Sequence, residues 1–271
     1  YLRDQQIDAV SIPSGPAGTA RMSGQSLAVL IQQRTGVEVV LHYSCRGRSV
    51  PAIQSDLLGA HALGLANIVA TAGDPAEGQT SLAMPVDFDV DSIGVVNIMN
   101  HLNQGLDAGG NSMGTQTSFL IGIRVNPTAL NLDEEIRRFE FKVEAGASFA
   151  LAQPVFEPGQ LVRFLQRAGV GGAPPVPVLA GISPLTSYRN AEFLNNEVPG
   201  MSVPRSILER MRKADTGDRA RAEGLKIAQE ILLEVRGLVQ GVHISAPFGR
   251  YAMAVDVAQA LGTSSASRSL P

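Results

Sequence analysis

Val37-Glu38-Val39-Val40-Leu41-His42 is a short apolar run that stops on a histidine. The same form returns in Ile68-Val69-Ala70-Thr71-Ala72-Gly73-Asp74 and in Phe149-Ala150-Leu151-Ala152-Gln153. Runs of this length, with β-branched residues and almost no charge, read as strands buried on both faces, the habit of parallel sheets. Four more runs, at residues 8–12, 119–125, 176–181 and 241–245, carry the same signal. Amphipathic stretches at 25–33, 53–63 and 132–143 stand between them. Parallel strands joined by helices turn all their carboxyl ends to one face, so His42, Asp74 and Gln153 are expected to gather there as an active-site rim.

Helix ends carry their own chemistry. Asp91-Ser92 precedes Ile93-Gly94-Val95-Val96, and Asn131-Leu132-Asp133-Glu134-Glu135 puts acids into a first turn, where they favour the helix dipole. Gly36, Gly64 and Gly169 mark helix ends. The 271 residues are 44% hydrophobic and 17% charged, enough apolar chain for one large α/β domain over residues 1–262. Residues 263–271 are small and polar and read as a flexible tail. A net charge of −3, with no Lys/Arg run interleaved with aromatics, argues against nucleic acid and against a membrane-surface helix. The chain shows neither an apolar stretch of spanning length nor the apolar core of a signal peptide, so a cytoplasmic location is expected. One cysteine and four scattered histidines predict no metal site.

An open dinucleotide-binding sheet would want GxGxxG after its first strand. Ser11-Ile12-Pro13-Ser14-Gly15-Pro16-Ala17-Gly18 has glycines at other spacings and two prolines among them. The better fit is a (β/α)8 TIM barrel whose first strand lies upstream of Tyr1.

Local sequences extend that reading. Leu41-His42-Tyr43-Ser44-Cys45-Arg46, Thr71-Ala72-Gly73-Asp74-Pro75, Lys142-Val143-Glu144-Ala145-Gly146-Ala147 with Ala152-Gln153-Pro154-Val155-Phe156, Gly181-Ile182-Ser183-Pro184-Leu185, and Arg189-Asn190-Ala191-Glu192-Phe193-Leu194 resemble the methylenetetrahydrofolate reductase family in order and spacing. Arg46 and Asp89-Val90-Asp91-Ser92-Ile93-Gly94 resemble most the reductase half of bacterial proteins that carry a homocysteine methyltransferase domain upstream. The resemblance implies a barrel that binds FAD, takes a hydride from NADH or NADPH and reduces 5,10-methylenetetrahydrofolate to 5-methyltetrahydrofolate. A homo-oligomer, and an upstream methyltransferase domain, are expected with it.

The resemblance also implies roles. Asp74 lies by flavin and pterin as the catalytic carboxylate, where its charge favours the cation that accepts the hydride; an N-cap for the segment after Gly73 is the plainer alternative. Gln153, Asn190, Leu194 and Arg250 face the folate. His42, Gly73, Phe88, Glu135 and Lys142 contact the cofactor, although a lone histidine among apolar residues is otherwise a core group, and a lysine or glutamate near a helix end is otherwise solvated charge. The loop from Gly105 to Gly114 reads equally as an approach to a cofactor phosphate or as a turn. Ala72, Pro13 and Ala152 depart from residues usual in the family and bear on flavin affinity. The family's general acid is a glutamate closing the first strand, so it is expected upstream of Tyr1. Without it the barrel would be a non-catalytic flavin- or folate-binding partner or regulatory subunit, which is the alternative function.

Overall fold

Ser23, Ser49 and Asp91 each stand just ahead of an apolar-periodic stretch, and each starts a helix. The Ser23 and Ser49 hydroxyls accept from the Ser26 and Ala52 N–H groups, and the Asp91 carboxylate accepts from Ile93 N and Gly94 N. Each bond satisfies an N–H that the first helical turn leaves open. Gly36 and Gly64, with φ of 67° and 86°, end two of these helices in the left-handed region; the helix before Gly169 ends on Ala168 without such a turn.

The computed structural model describes residues 2–5, 7–15, 20–72, 90–169, 173–214 and 216–262. They fall into two compact units, Arg3–Arg124 with Glu140–Phe149, and Val125–Phe139 with Ala150–Pro271. The first unit holds β1 (Ala9–Ile12), α1 (Gly24–Thr35), β2 (Glu38–Ser44), α2 (Val50–Ala62), β3 (Asn67–Thr71), α3 (Ser92–Asn103) and β4 (Leu120–Val125) up to Arg124. The named strands there pair in parallel, and their register sets Ile12, Leu41, Ile68 and Ile121 in one row. All four are buried. This row faces the helices: a Cβ on Gly24 of α1 would lie 3.5 Å from Leu41 and 3.7 Å from Ile12.

Successive side chains of a strand point to opposite faces, so the next row, His42, Val69 and Gly122, lies on the sheet's other side. Phe149 crosses this row. A Cβ on Gly122 would sit 2.4 Å from the Phe149 ring and 2.7 Å from Val69, so the ring fills the space that a β4 side chain would need.

Three elements reach across the residue boundary between the units: β4 by its last residue, Val125, α4 (Leu132–Glu144) and β5 (Phe149–Pro154). The second unit continues with α5 (Pro158–Arg167), β6 (Val178–Ile182), α6 (Tyr188–Glu197), α7 (Arg205–Lys213), α8 (Gly217–Val235), β7 (Gly241–Ile244) and α9 (Tyr251–Gly262). Its strands also pair in parallel, β5 with β6 and β6 with β7. Phe139 and Phe164 meet edge to face at 5.7 Å between ring centroids, and Arg210 of α7 bonds Glu223 and Glu230 of α8.

Strand order follows chain order from β1 to β7, with a helix after every strand. The fold is α/β, of the (β/α)8 TIM-barrel class, with seven strands among the described residues. All seven predicted runs are strands, with ends moved by one or two residues. Among the described residues no helix is long and apolar enough to cross a membrane.

Gly122→Ala is expected to destabilise the protein by about 1–3 kcal/mol, the usual cost of overpacking, because Phe149 and Val69 must both give way. A urea unfolding midpoint equal to that of the parent would contradict this account.

Candidate functional site

In the first unit β2 runs on to Ser44, so His42 lies inside the strand rather than closing it. The apolar run stops at His42, but Tyr43 and Ser44 keep their parallel partners, Ala70 and Thr71. Burial alternates along the strand, with Val39, Leu41 and Tyr43 buried and Val40, His42 and Ser44 half-buried. His42 is therefore on the face away from the helices. There its Nε2 lies 2.8 Å from the Ser11 hydroxyl of β1.

The opposite face anchors this rim. The Tyr43 hydroxyl donates to Asp56 at 2.9 Å, Asp56 pairs with Arg48, and the Arg48 guanidinium stands 5.4 Å from the Tyr43 ring centroid. Thr71 donates its hydroxyl to Tyr43 O, and Cys45 N donates back to Thr71 O. The carboxyl ends of β2 and β3 are thus tied to each other. Burial, aided by the Asp56 carboxylate and opposed by the Arg48 guanidinium, raises the Tyr43 hydroxyl above the ordinary tyrosine range. Burial also pushes the Cys45 thiol up.

Lys142 is buried at 7% exposure, and its Nζ donates to Arg124 O at 2.8 Å. Its charge therefore lies at the carboxyl end of β4, next to the exposed Arg124. A lysine held inside by a carbonyl differs from the solvated charge that is the plain expectation near a helix end. Gly73, Asp74 and Phe88 lie outside the described residues.

The glycine-rich loop after α3 resolves as a turn. The N–H of Asn111 donates to the Asp107 carboxylate at 2.8 Å, Asn111 Nδ2 adds two more bonds, and Gly110 N donates to Asp107 O. These donors hold the Asp107 carboxyl below the usual carboxylate range, Asn111 first among them. N–H groups that could have cradled a phosphate already serve an internal anion.

In the second unit Glu135 uses Oε1 to accept from Asn126 N at 2.8 Å, which fixes the loop between β4 and α4. Gln153 is more open. Its strand pairs through Ala150 opposite Val178 and Leu151 opposite Leu179, then resumes with Pro154 opposite Gly181. Ala152 and Gln153 therefore oppose Ala180 alone, a β-bulge, and such bulges re-aim side chains. Gly181 makes it possible: a Cβ there would lie 2.4 Å from Ala152 O and 2.6 Å from the Gln153 carbonyl carbon. Gln153 is half-buried, and among the described residues its carboxamide makes no hydrogen bond. A carboxamide has two donors and one acceptor oxygen to place, and here none of them is taken by a described residue.

Asn190 bonds at the start of its own helix. Its Oδ1 accepts from Thr186 N, and its own N–H donates to the Ser187 cap of α6. Leu194 is half-buried, while Arg189 and Phe193, four residues apart on one helix face, are exposed. Arg250 follows β7 and lines a cleft of about 270 Å³ with Arg221, Leu225, Met253 and Asp256. Phe248, two residues before it, has φ of 55° and is 79% exposed. A bulky residue at positive φ is strained backbone.

A family model described as methylenetetrahydrofolate reductase matches residues 2–253. Methylenetetrahydrofolate reductase 1 of Schizosaccharomyces pombe is 22% identical, over 82% of this chain and 35% of its own length. Methylenetetrahydrofolate reductase 2 of the same yeast is 25% identical, over 86% and 37%. Methylenetetrahydrofolate reductase 2 of Saccharomyces cerevisiae is 25% identical, over 84% and 38%. The chain spans little more than a third of the length of these curated relatives. Among solved structures, an uncharacterized Clostridium thermocellum protein that binds two copies of 5-methyl-5,6,7,8-tetrahydrofolic acid matches with a TM-score of 0.54 at 14% identity, covering 94% of both chains. Phosphoenolpyruvate phosphomutase of Streptomyces platensis subsp. rosaceus matches at 0.50 and 16% identity, covering 96% of this chain and 76% of its own. At such identities the likeness is one of fold.

Two outcomes are expected. Gly181→Ala must displace the backbone at residues 152–154, so the Gln153 amide resonance shifts and the unfolding midpoint falls; an unmoved resonance would remove Gly181 from this role. Tyr43 and Cys45 have raised values in the folded state, so their contribution is complete at neutral pH. It is lost as pH climbs past about 8.5 for the thiol and about 10 for the phenol, where the unfolded chain ionises first. Urea titrations at pH 8 and pH 10.5 measure the loss, which Tyr43→Phe should reduce.

Proposed function

Because the chain belongs to the methylenetetrahydrofolate reductase family, we propose that it reduces 5,10-methylenetetrahydrofolate to 5-methyltetrahydrofolate with NADH or NADPH as donor and FAD as carrier. The balanced reaction moves one hydride and one proton to the substrate, whose ring opens as a methylene C–N bond breaks. Bound FAD would supply the hydride after taking it from the nicotinamide, one carrier serving both halves in turn. The residues at hand suit such a group by their chemistry. His42 offers an imidazole nitrogen, and Arg124 and Lys142 bring two cations to the carboxyl end of β4, which favours a diphosphate. Gly73 and Phe88 complete the cofactor set in this reading, and Glu135 acts by holding the loop before α4.

The observation that carries the folate assignment is the half-buried Gln153 carboxamide, which makes no hydrogen bond among the described residues and is aimed by a bulge. A pteridine edge presents both donors and acceptors, and a carboxamide offers their complements on one planar group. Asp74 supplies the negative charge that favours the cation accepting the hydride. Arg250, at the lip of its cleft, offers a guanidinium to the carboxylates of the glutamyl tail. Leu194 lends apolar contact, and Asn190 sets the start of α6. That a protein of the same fold binds 5-methyl-5,6,7,8-tetrahydrofolic acid, the product named here, agrees with this division.

The deciding experiment is a visible absorption spectrum of the purified protein with FAD, then with NADH or NADPH in the absence of oxygen. A flavin band that bleaches, and returns on adding 5,10-methylenetetrahydrofolate, is the expected result; a folded protein that takes up no flavin would overturn the reading. Gln153→Ala should raise the folate KM about tenfold, near 1.4 kcal/mol, and leave bleaching by the nicotinamide intact.

A further inference from the structure

Pro247-Phe248-Gly249-Arg250 follows β7 and turns back on itself, with Arg250 N donating to Pro247 O at 3.1 Å. Its two central residues, Phe248 and Gly249, have φ of 55° and 70°. Left-handed values at both centres mark a type I′ turn, where Asn-Gly is the favoured pair and a bulky side chain is not. Among the described residues Phe248 is the one non-glycine with positive φ. Burial does not hold it there, because the residue is 79% exposed. A Cβ built on Gly249 would meet nothing within 4 Å, so the turn stands in open space. Phe248 therefore costs stability twice, through its backbone and through an apolar ring left in water. Strain of this kind gathers at ligand clamps. Tyr251, on the other side of Arg250 in sequence, is exposed as well, so two open rings flank that guanidinium along the chain.

We infer that Phe248 is a substrate-binding residue, held outward by its turn to meet the aminobenzoyl ring of the folate. The inference rests on the functional reading above, in which Arg250 takes the glutamyl carboxylates. In a folate the benzoyl ring is joined to the glutamyl residue through a single amide, so a group that holds those carboxylates has the ring close by. Phe248 and Arg250 are two residues apart in one closed turn, which keeps their Cα atoms within about 8 Å. Two aromatic rings at such a place pack offset or edge to face. A turn that fixes the phenyl group before the ligand arrives reduces the ordering lost on binding.

Thermal unfolding and calorimetric titration with 5-methyltetrahydrofolate, FAD being present in both, test this on the same variants. Phe248→Asn supplies the favoured Asn-Gly pair and removes the ring. Its unfolding midpoint should rise by about 2–4 °C, while its Kd for 5-methyltetrahydrofolate rises about three- to tenfold. Phe248→Ala should weaken binding as much without the rise in midpoint, and Phe248→Tyr, which keeps a ring, should bind as the parent does. A tetrahydropterin, which has neither the aminobenzoyl nor the glutamyl group, should bind the parent and Phe248→Asn alike. Unchanged folate affinity in Phe248→Asn and Phe248→Ala, or an equal loss for the tetrahydropterin, would overturn the inference and leave the functional reading standing. A midpoint that does not rise in Phe248→Asn would overturn the strained turn as the device that presents the ring. A folded parent that binds no 5-methyltetrahydrofolate overturns the functional reading itself, and the ligand named here with it.

Discussion

The parallel register that sets Ile12, Leu41, Ile68 and Ile121 side by side is the constraint on which the first unit depends. Side chains alternate strictly along a strand, so this one buried row also decides the face of every other residue. It sends Tyr43 toward Asp56 and α2, and His42 toward Ser11 on the other side. A slip of one residue in β2 would exchange these two sets. The placement of His42 therefore rests on an aliphatic row that lies on the opposite face of the sheet.

The second unit places its candidate by breaking the rule that the first unit keeps. One extra residue in β5 puts Ala152 and Gln153 against a single partner, and the alternation resets. The cost is local, since the ladder resumes at once, with Val155 N donating to Gly181 O at 3.0 Å. A regular strand would have left Gln153 in step with its neighbours. Regular pairing positions the histidine, and an irregularity positions the glutamine.

The seven strands were legible because parallel strands in this fold are apolar on both faces, and uncharged runs such as those at 68–72 and 149–152 have few other uses. Strand ends were less so: His42 looked like a terminus because hydropathy drops there, while backbone pairing continues to Ser44 regardless of polarity. The bulge left no trace, since an added residue in a run of apolar side chains does not disturb a period that is absent. Asn190 shows a different limit. A polar residue in the first turn of a helix serves a ligand or the backbone equally well on paper, and the bond from Thr186 N shows a backbone role for the Asn190 Oδ1 alone. The glycine-rich loop was ambiguous for the same reason until Asp107 was found occupying its donors.

Phe149, whose ring fills the space above Gly122, is supplied by a stretch of chain that comes after β4 and all of α4. A growing chain that has emerged only as far as Arg124 contains every residue of the first three strands but lacks this ring, and Gly122 and Val69 then border an unfilled hollow. Completion of the first unit on the ribosome must therefore wait until residues belonging to the second, Val125–Phe139, have also been made. The two units are consequently interleaved in time as well as in sequence. An early chaperone would meet the sheet with that hollow still open.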